Sequence, residues 1–343
     1  MTTPASATPL PGPLAASGVT FRPYRGLDDI PDMGAANARL RARAGVLEPI
    51  DEAAMRHRYS TLVNSDPLVD CIVAERAGRV VGYARTEWHD LVDGDRLYDI
   101  TSVVEPDAWG LGVSEAFVAW AEEHVRETAR AHPSDRRSWI GHYTFGGDED
   151  LTRALTGSGY EAVRWDAEME RPDLEDIPDV ALAEGYSIHP PTPDQLPAVF
   201  DMMVVAFAEH WGESEAQEQS FDKWVTDPRF RLDLIVVAWH GDVPAAVVSN
   251  IVETQPDGRR SGLLDSVCTH PDHRRLGLAR ATIIESLRRL RVDGATSAYL
   301  GVDTDNHNRA SALYESCGFR AVSGGTSYRK AYADHGAGDR VSH

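Results

Sequence analysis

The residue types able to do chemistry gather in one short stretch, Leu264 to Ala279, which holds Asp265, Arg274, Arg275 and Gly277. Leu263, Leu264, Val267 and Cys268 form an apolar, partly β-branched run that Pro271 ends by removing a ladder donor, so a strand is expected. From Leu276 onward the apolar positions Leu276, Ala279, Ile283, Leu287 and Leu290 fall at helical spacing, with Arg280, Glu285, Arg288 and Arg291 on other faces. A strand, a basic turn and a helix start make an anion site. The first helical turn offers free N–H groups, its dipole favours negative charge, and a glycine lets a ligand approach the backbone. A phosphate is the expected guest, with Arg274 and Arg275 beside it. The competing reading is an ordinary helix start with a solvated basic turn.

Residues further along the chain narrow the choice. Gly294 precedes an apolar strand at Ala298–Asp303, and then come Asn306, Ala310, Leu313-Tyr314-Glu315 and Gly318-Phe319. In order and spacing, Arg274-x-x-Gly277-x-Ala279 together with these residues resembles the GNAT superfamily of acyl-CoA-dependent N-acyltransferases, over residues 185–332. The resemblance implies acetyl-CoA, or a related acyl-CoA, as donor and co-substrate. It implies that the strand backbone at Val267, Cys268 and Thr269 runs along the pantetheine arm as an added strand would. The pyrophosphate would sit on the amides of Leu276, Gly277, Leu278, Ala279 and Arg280, with Arg274 and Arg275 assisting. Asn306 would bind the pantetheine amides. Tyr314 stands where the family has its general acid; the alternative is a tyrosine packed in a core.

The implied reaction is attack by a free amine on a thioester, with a strand amide near Val267–Thr269 as oxyanion donor. An alkylamine of pKa near 10.4 loses its proton at pH 7 at a cost of roughly 4–5 kcal/mol, so a nearby base helps. Asp265, two residues before Val267 on one strand, is expected on the same face and is the first candidate. His210 and Glu253 are the others, and Trp211 beside His210 is expected to shape the acceptor pocket. His270 and His273 flank the proline turn and are expected to be solvated. The reaction needs no metal, and no ligand spacing argues for one.

These residues require elements to position them, and the chain supplies the set twice. Strands are expected at Phe21–Tyr24, Cys71–Arg76, Arg79–Trp88, Tyr98–Val104, Ser138–Tyr143 and Tyr160–Glu168, with helices near 28–43, 51–62, 112–128 and up to Leu155. The second half repeats the order: Tyr186–His189, helices over 193–210 and 213–225, then Leu232–Trp239 and Val243–Val252. Pro106-Asp107 and Gly112 match Pro271-Asp272 and Gly277 at an offset of 165 (277 minus 112), and Gly159-Tyr160 matches Gly318-Phe319 at 159 (318 minus 159). The hairpin glycines Gly78 and Gly241 lie 163 apart (241 minus 78). Landmarks at nearly one offset indicate an internal duplication.

The expected fold is therefore α/β of the α+β kind: two tandem lobes, each a mixed, mostly antiparallel twisted sheet flanked by helices. The tandem layout is similar to that of mycothiol-synthase-type members of the family. The expected boundaries are a flexible tail at 1–18, a degenerate lobe at 19–171, a linker at 172–184, the catalytic lobe at 185–332 and a tail at 333–343. The first copy has Trp109 for Arg274, Gly110 for Arg275 and Leu155 for Tyr314. It is expected to be structural, with binding of a nucleotide through backbone amides left open.

Composition excludes other classes. A chain of 343 residues accommodates two domains of about 150 each. A net charge of −20 argues against nucleic acid or an anionic membrane as partner, and no run approaches the roughly 18 apolar residues of a membrane span. Cys71, Cys268 and Cys317 lie far apart and suit a reducing cytoplasm as inert thiols. The expected partner is a small-molecule amine acceptor, and no pattern sets an oligomeric state. The alternatives within the enzyme class are a mycothiol-synthase-like enzyme and a protein N-acetyltransferase, and a non-catalytic acyl-CoA sensor or scaffold is the alternative of another class.

Overall fold

Left-handed backbone at Ala77 and Gly78 (φ 51° and 76°) closes a two-residue hairpin between strands β2 (Cys71–Arg76) and β3 (Arg79–Asp90). Positive φ at both central residues matches the right-handed twist of the flanking strands. Gly241 (φ 60°) turns a matching hairpin later in the chain. The computed structural model describes residues 8–132, 136–208, 211–212, 221–305 and 310–332, which fall into two compact units.

The first unit comprises residues 1–44, 50–164 and 325–343. Its sheet runs β1 (Val19–Pro23), β2, β3, β4 (Arg96–Val104), β5 (Ser138–Phe145), and then Gly325–Ala331 from the last strand of the chain. All neighbours are antiparallel except β4 with β5. Helices α1 (Ile30–Ala44), α2 (Glu52–Ser60), α3 (Pro67–Asp70), α4 (Val113–Ala129) and α5 (Glu149–Gly157) flank it. Helix α4 buries Val113, Phe117, Trp120 and Val125, the stripe its spacing calls for. The segment from Thr8, expected within a flexible tail, packs on α4 instead. The Thr8 hydroxyl donates to Glu127 and bonds His124 at 2.8 Å, and Leu14 joins the core.

The second unit comprises Gly45–Pro49 and Trp165–Gly324. Its elements are the end of β6 (Glu161–Arg171), β7 (Tyr186–His189), α6 (Leu196–Phe207), α7 (Phe221–Val225), β8 (Val236–His240), β9 (Val243–Thr254), β10 (Arg260–Thr269), α8 (Leu278–Val292), β11 (Ser297–Asp303), α9 (Ala310–Ser316) and the start of β12 (Arg320–Ala331). The sheet order is β7, β8, β9, β10, β11, β6, antiparallel except β10 with β11. Ile283, Leu287 and Leu290 of α8 are fully buried against it, each worth about 1.5–3 kcal/mol.

The division differs from a cut at residues 171 and 185. Residues 166–171 pair with β11 in the second unit, and residues 325–331 pair with β5 in the first. The segment 172–184 is packed, not a free connection. Leu174, Ile177 and Val180, three residues apart, rest on the core, and Arg288 and Arg291 of α8 bond Pro178, Asp179 and Leu174. Prolines and charges gave it the look of a linker. Helix α8 also starts two residues later than the apolar spacing suggests, after Gly277, which leaves Leu276 outside it and 47% exposed. The three cysteines are buried free thiols.

Candidate active site

Strands β10 and β11 pair only from Ser261↔Ser297 to Leu263↔Tyr299, yet β10 continues to Thr269 and β11 to Asp303. Beyond Leu263 the two part, and a cavity of about 540 Å³ opens there. Its walls include Leu264–Thr269 on one side, Gly301–Asp303 on the other, Arg274, Arg275 and Gly277–Arg280 at the turn, and Tyr314 from α9. Among the described residues, the β10 edge facing the opening has no strand partner beyond Leu263. An extended ligand with amide groups can therefore pair with it as an added strand.

The parting begins at a β-bulge. Leu264 pairs with Asn250 and Ser266 with Ser249, so Asp265 is an extra residue on β10. The bulge overturns the expectation that Asp265 and Val267 share a face. A side chain at Gly262 would meet Leu290 of α8, and Leu264 and Val267 both pack in the cluster with Ile283 and Leu287. Leu264 and Val267 thus share the α8 face three residues apart, and Asp265 lies on the opposite one. Simple alternation fails where an extra residue is inserted.

The turn after β10 is built as the anion site requires. Pro271–His273 forms a 3-10 turn, the Arg274 Nε donates to the Thr269 carbonyl at 3.4 Å, and Gly277 caps α8 in left-handed backbone (φ 75°) with open space where a side chain would project. Arg275 is left-handed as well (φ 66°), an unusual conformation for a residue with a long side chain. His270 and His273 are not simply solvated. Both are half-buried; His270 Nδ1 accepts the Asp272 N–H at 3.2 Å, and His273 Nδ1 bonds the Tyr186 hydroxyl at 2.8 Å.

Tyr314 is 7% exposed, lines the cavity, and its hydroxyl has no hydrogen-bond partner among the described residues. Burial, with smaller contributions from Cys268 and Cys317, pushes its phenol up to about 12. Burial also pushes the Cys268 thiol, in a different core cluster, up to about 12. Solvent reaches Asp265 through the cavity, while the surrounding protein raises its carboxyl above the ordinary range. Glu48 and Asp227 push the same way, and Arg229 and Ser266 oppose.

Glu253 does not line the cavity. It is 6% exposed and fixed on both sides: the Tyr299 hydroxyl donates to Oε2, and Arg229 Nη1 lies 3.4 Å from Oε1. Burial raises its carboxyl, Glu48 adds to this, and Tyr299 and Arg229 oppose. Arg229 also pairs with Asp227 at 3.2 Å and Glu48 at 3.6 Å, which makes this side of the sheet predominantly acidic. Arg229, Tyr299 and Glu48 escaped the sequence reading. Glu48 belongs to the short segment Gly45–Pro49, far from the rest of the second unit in sequence, and only folding reveals it.

Of the residues singled out in the sequence, Asp265, Val267, Cys268, Thr269, Arg274, Arg275, Gly277, Leu278, Ala279, Arg280 and Tyr314 surround one cavity. Leu276 and Glu253 do not border it, and Trp211 is 40% exposed outside it. Asn306 and His210 lie outside the described residues. Among the described residues no group of three or more His, Cys, Asp or Glu side chains could hold a metal, and no helix is long and apolar enough to cross a membrane.

Comparison with known proteins agrees with this geometry. The model of the Acetyltransferase (GNAT) family matches the chain twice, over residues 39–134 and 196–319. The mycothiol acetyltransferase of Frankia casuarinae is 30% identical over 259 residues, covering 71% of this chain and 70% of that protein. Among solved structures, a GCN5-related N-acetyltransferase from Sphaerobacter thermophilus superposes with a TM-score of 0.70 at 18% identity, over 91% of this chain and 95% of that one. A tandem GNAT protein from the clavulanic acid biosynthesis pathway gives 0.67 at 17% identity, over 91% and 98%. At such identities the two structures speak for the fold alone.

Proposed function

Because the chain belongs to the GNAT family of acetyltransferases, we propose that it moves an acetyl group from acetyl-CoA to a primary amine of a small molecule, by direct attack in the second unit. The observation that carries this reading is the parting of β10 from β11 at Asp265, which opens a cavity between a free strand edge, a basic glycine turn and an unpartnered tyrosine. The residues present suit the donor. The edge of Val267–Thr269 would hold the pantetheine amides, and the turn from Arg274 to Arg280 the pyrophosphate. Bound there, the thioester supplies the activated acyl group.

The side chains then divide the proton work. Asp265 takes the proton that the acceptor amine must lose, directly or through a water. Its raised affinity for a proton suits a base better than an ordinary aspartate would. A backbone N–H on the free β10 edge faces the charge that develops on the acyl oxygen. Tyr314, held protonated by burial, gives its proton to the departing sulfur. The carboxylates around Arg229 favour an acceptor that arrives as a cation.

The likeness to the Frankia protein supports one acceptor more specifically, the cysteinyl pseudo-disaccharide amine that a mycothiol-synthase-type enzyme acetylates. Release of CoA across an amine panel that includes this compound, with the product identified by mass, tests both levels. An acetylated amine from any member supports the transferase. Acyl-CoA bound without amine-dependent CoA release would make the protein a sensor or scaffold instead.

A further inference from the structure

The first unit repeats the basic turn's backbone with another occupant. Pro106–Ala108 forms the 3-10 turn, Gly110 and Gly112 are left-handed (φ 74° and 86°), and Gly112 caps the seventeen-residue helix α4. An N–H at this turn and the first hydroxyl of the helix are the groups a phosphate would use. Both are taken. The Gly110 N–H donates to Asp150 Oδ1 at 2.8 Å, and the Ser114 hydroxyl donates to Asp150 Oδ2 at 2.8 Å. Asp150 is 2% exposed, and the Arg153 guanidinium donates to Oδ1, the oxygen that also accepts the Gly110 N–H. Leu14 lies against Gly112, with its methyl groups 3.7 and 3.9 Å from where a side chain would start.

Each of these features has a different counterpart in the second unit. At the offset of 165, Gly110 becomes Arg275 and Ser114 becomes Ala279 (279 minus 114). Five residues before Leu155 stands Asp150, whereas five before Tyr314 the sequence has Arg309, which lies outside the described residues. We infer that the first unit holds an anion site whose resident anion is the Asp150 carboxylate, and that this carboxylate keeps phosphate-bearing ligands out, leaving one nucleotide site per chain. A buried carboxylate with two neutral donors and an arginine is well satisfied, and a phosphate entering beside it would meet like charge in a low-dielectric pocket.

The inference rests on the acyl-CoA reading for the second unit only, so its test is run in a Gly277→Asp background, where that turn is blocked. Inorganic pyrophosphate is the probe, read by calorimetry and by the shift in melting temperature. The parent should show no saturable binding. Asp150→Ala frees the Gly110 N–H and the Ser114 hydroxyl and removes the Arg153 partner on Asp150, and should bind pyrophosphate saturably at a concentration at least roughly tenfold below the highest at which the parent shows none. A folded Asp150→Ala protein that binds no better than its parent overturns the inference. If Asp150→Ala does not fold, CoA titration of the wild-type protein decides: one site, lost with Gly277→Asp, supports it, and two sites per chain overturn it. No CoA binding at all in the wild type would sink the acyl-CoA reading while leaving the pyrophosphate result standing.

Discussion

The two copies of the strand–turn–helix share a backbone almost bond for bond and differ where a ligand would touch them. The indole N–H of Trp109 donates to the Val104 carbonyl, and the Arg274 guanidinium to that of Thr269, 165 residues later (274 minus 109). Tyr160 N–H returns to Leu155 and Phe319 N–H to Tyr314, around Gly159 and Gly318, whose φ angles are 84° and 90°. The divergence lies in the strand. The register of β3 with β4 runs without a break from Asp90↔Arg96 to Gly82↔Val104, whereas β9 with β10 shifts at Asp265. Ser102, Val103 and Val104 are buried, while Ser266, Val267 and Thr269 are half-buried along a cavity. Strands β4 and β5 also part, beyond Ile100↔His142 and without an inserted residue, so the bulge and the side chains, not the splay itself, distinguish the two copies. The backbone pattern belongs to folding; the insertion and the side chains belong to function.

Substitutions at paired positions put this contrast at risk. Tyr314→Phe keeps the ring packing and removes the proton donor. It should cost roughly 10²–10⁴-fold in kcat with stability nearly unchanged. A loss below about fivefold, with chemistry shown to be rate-limiting, would return Tyr314 to the role of a core residue. Its counterpart in the first unit should behave the opposite way. Leu155 is fully buried, and Leu155→Ala should lower stability by about 2–5 kcal/mol in denaturant titration.

Asp265→Asn keeps the bulge and removes the base. The ionised carboxylate is the active form, so the wild-type rate should fall as pH drops through the raised pKa of Asp265. The variant should lack that limb. Its defect, roughly 10²-fold, should be largest just above that pKa and shrink as pH approaches the amine's own value near 10.4. A loss uniform in pH would mean positioning. The smallest effect is expected at Arg275, which holds left-handed backbone where the first copy has Gly110. Arg275→Gly should gain about 1 kcal/mol of stability and weaken CoA binding together. Unchanged affinity would remove Arg275 from the phosphate site.

Much of this was legible in the sequence. Apolar spacing and turn glycines located most of the strands and α4, though not β12, and the offsets of landmark residues revealed the duplication. Val267–Thr269, Arg274, Arg275, Gly277–Arg280 and Tyr314 could be placed at one cavity because they are local to one strand end, one turn and one helix. What escaped is non-local or depends on register. The bulge inverts the face of Asp265, and alternation alone has no means of signalling an insertion. The pairing of residues 325–331 with β5 crosses some 180 positions, and no local pattern encodes it (325 minus 145). Glu48 reaches Arg229 from an equally remote segment.

Catalysis by the second unit alone is best tested by placing one substitution in both turns. Gly112→Asp and Gly277→Asp occupy equivalent left-handed helix caps, where aspartate is among the better-tolerated side chains. Acetyl transfer to the best acceptor is then compared in the two proteins, with folding checked by circular dichroism. Gly277→Asp should abolish transfer, and Gly112→Asp should retain it nearly in full. Transfer that survives Gly277→Asp, or is lost in a natively folded Gly112→Asp protein, would contradict that division of labour.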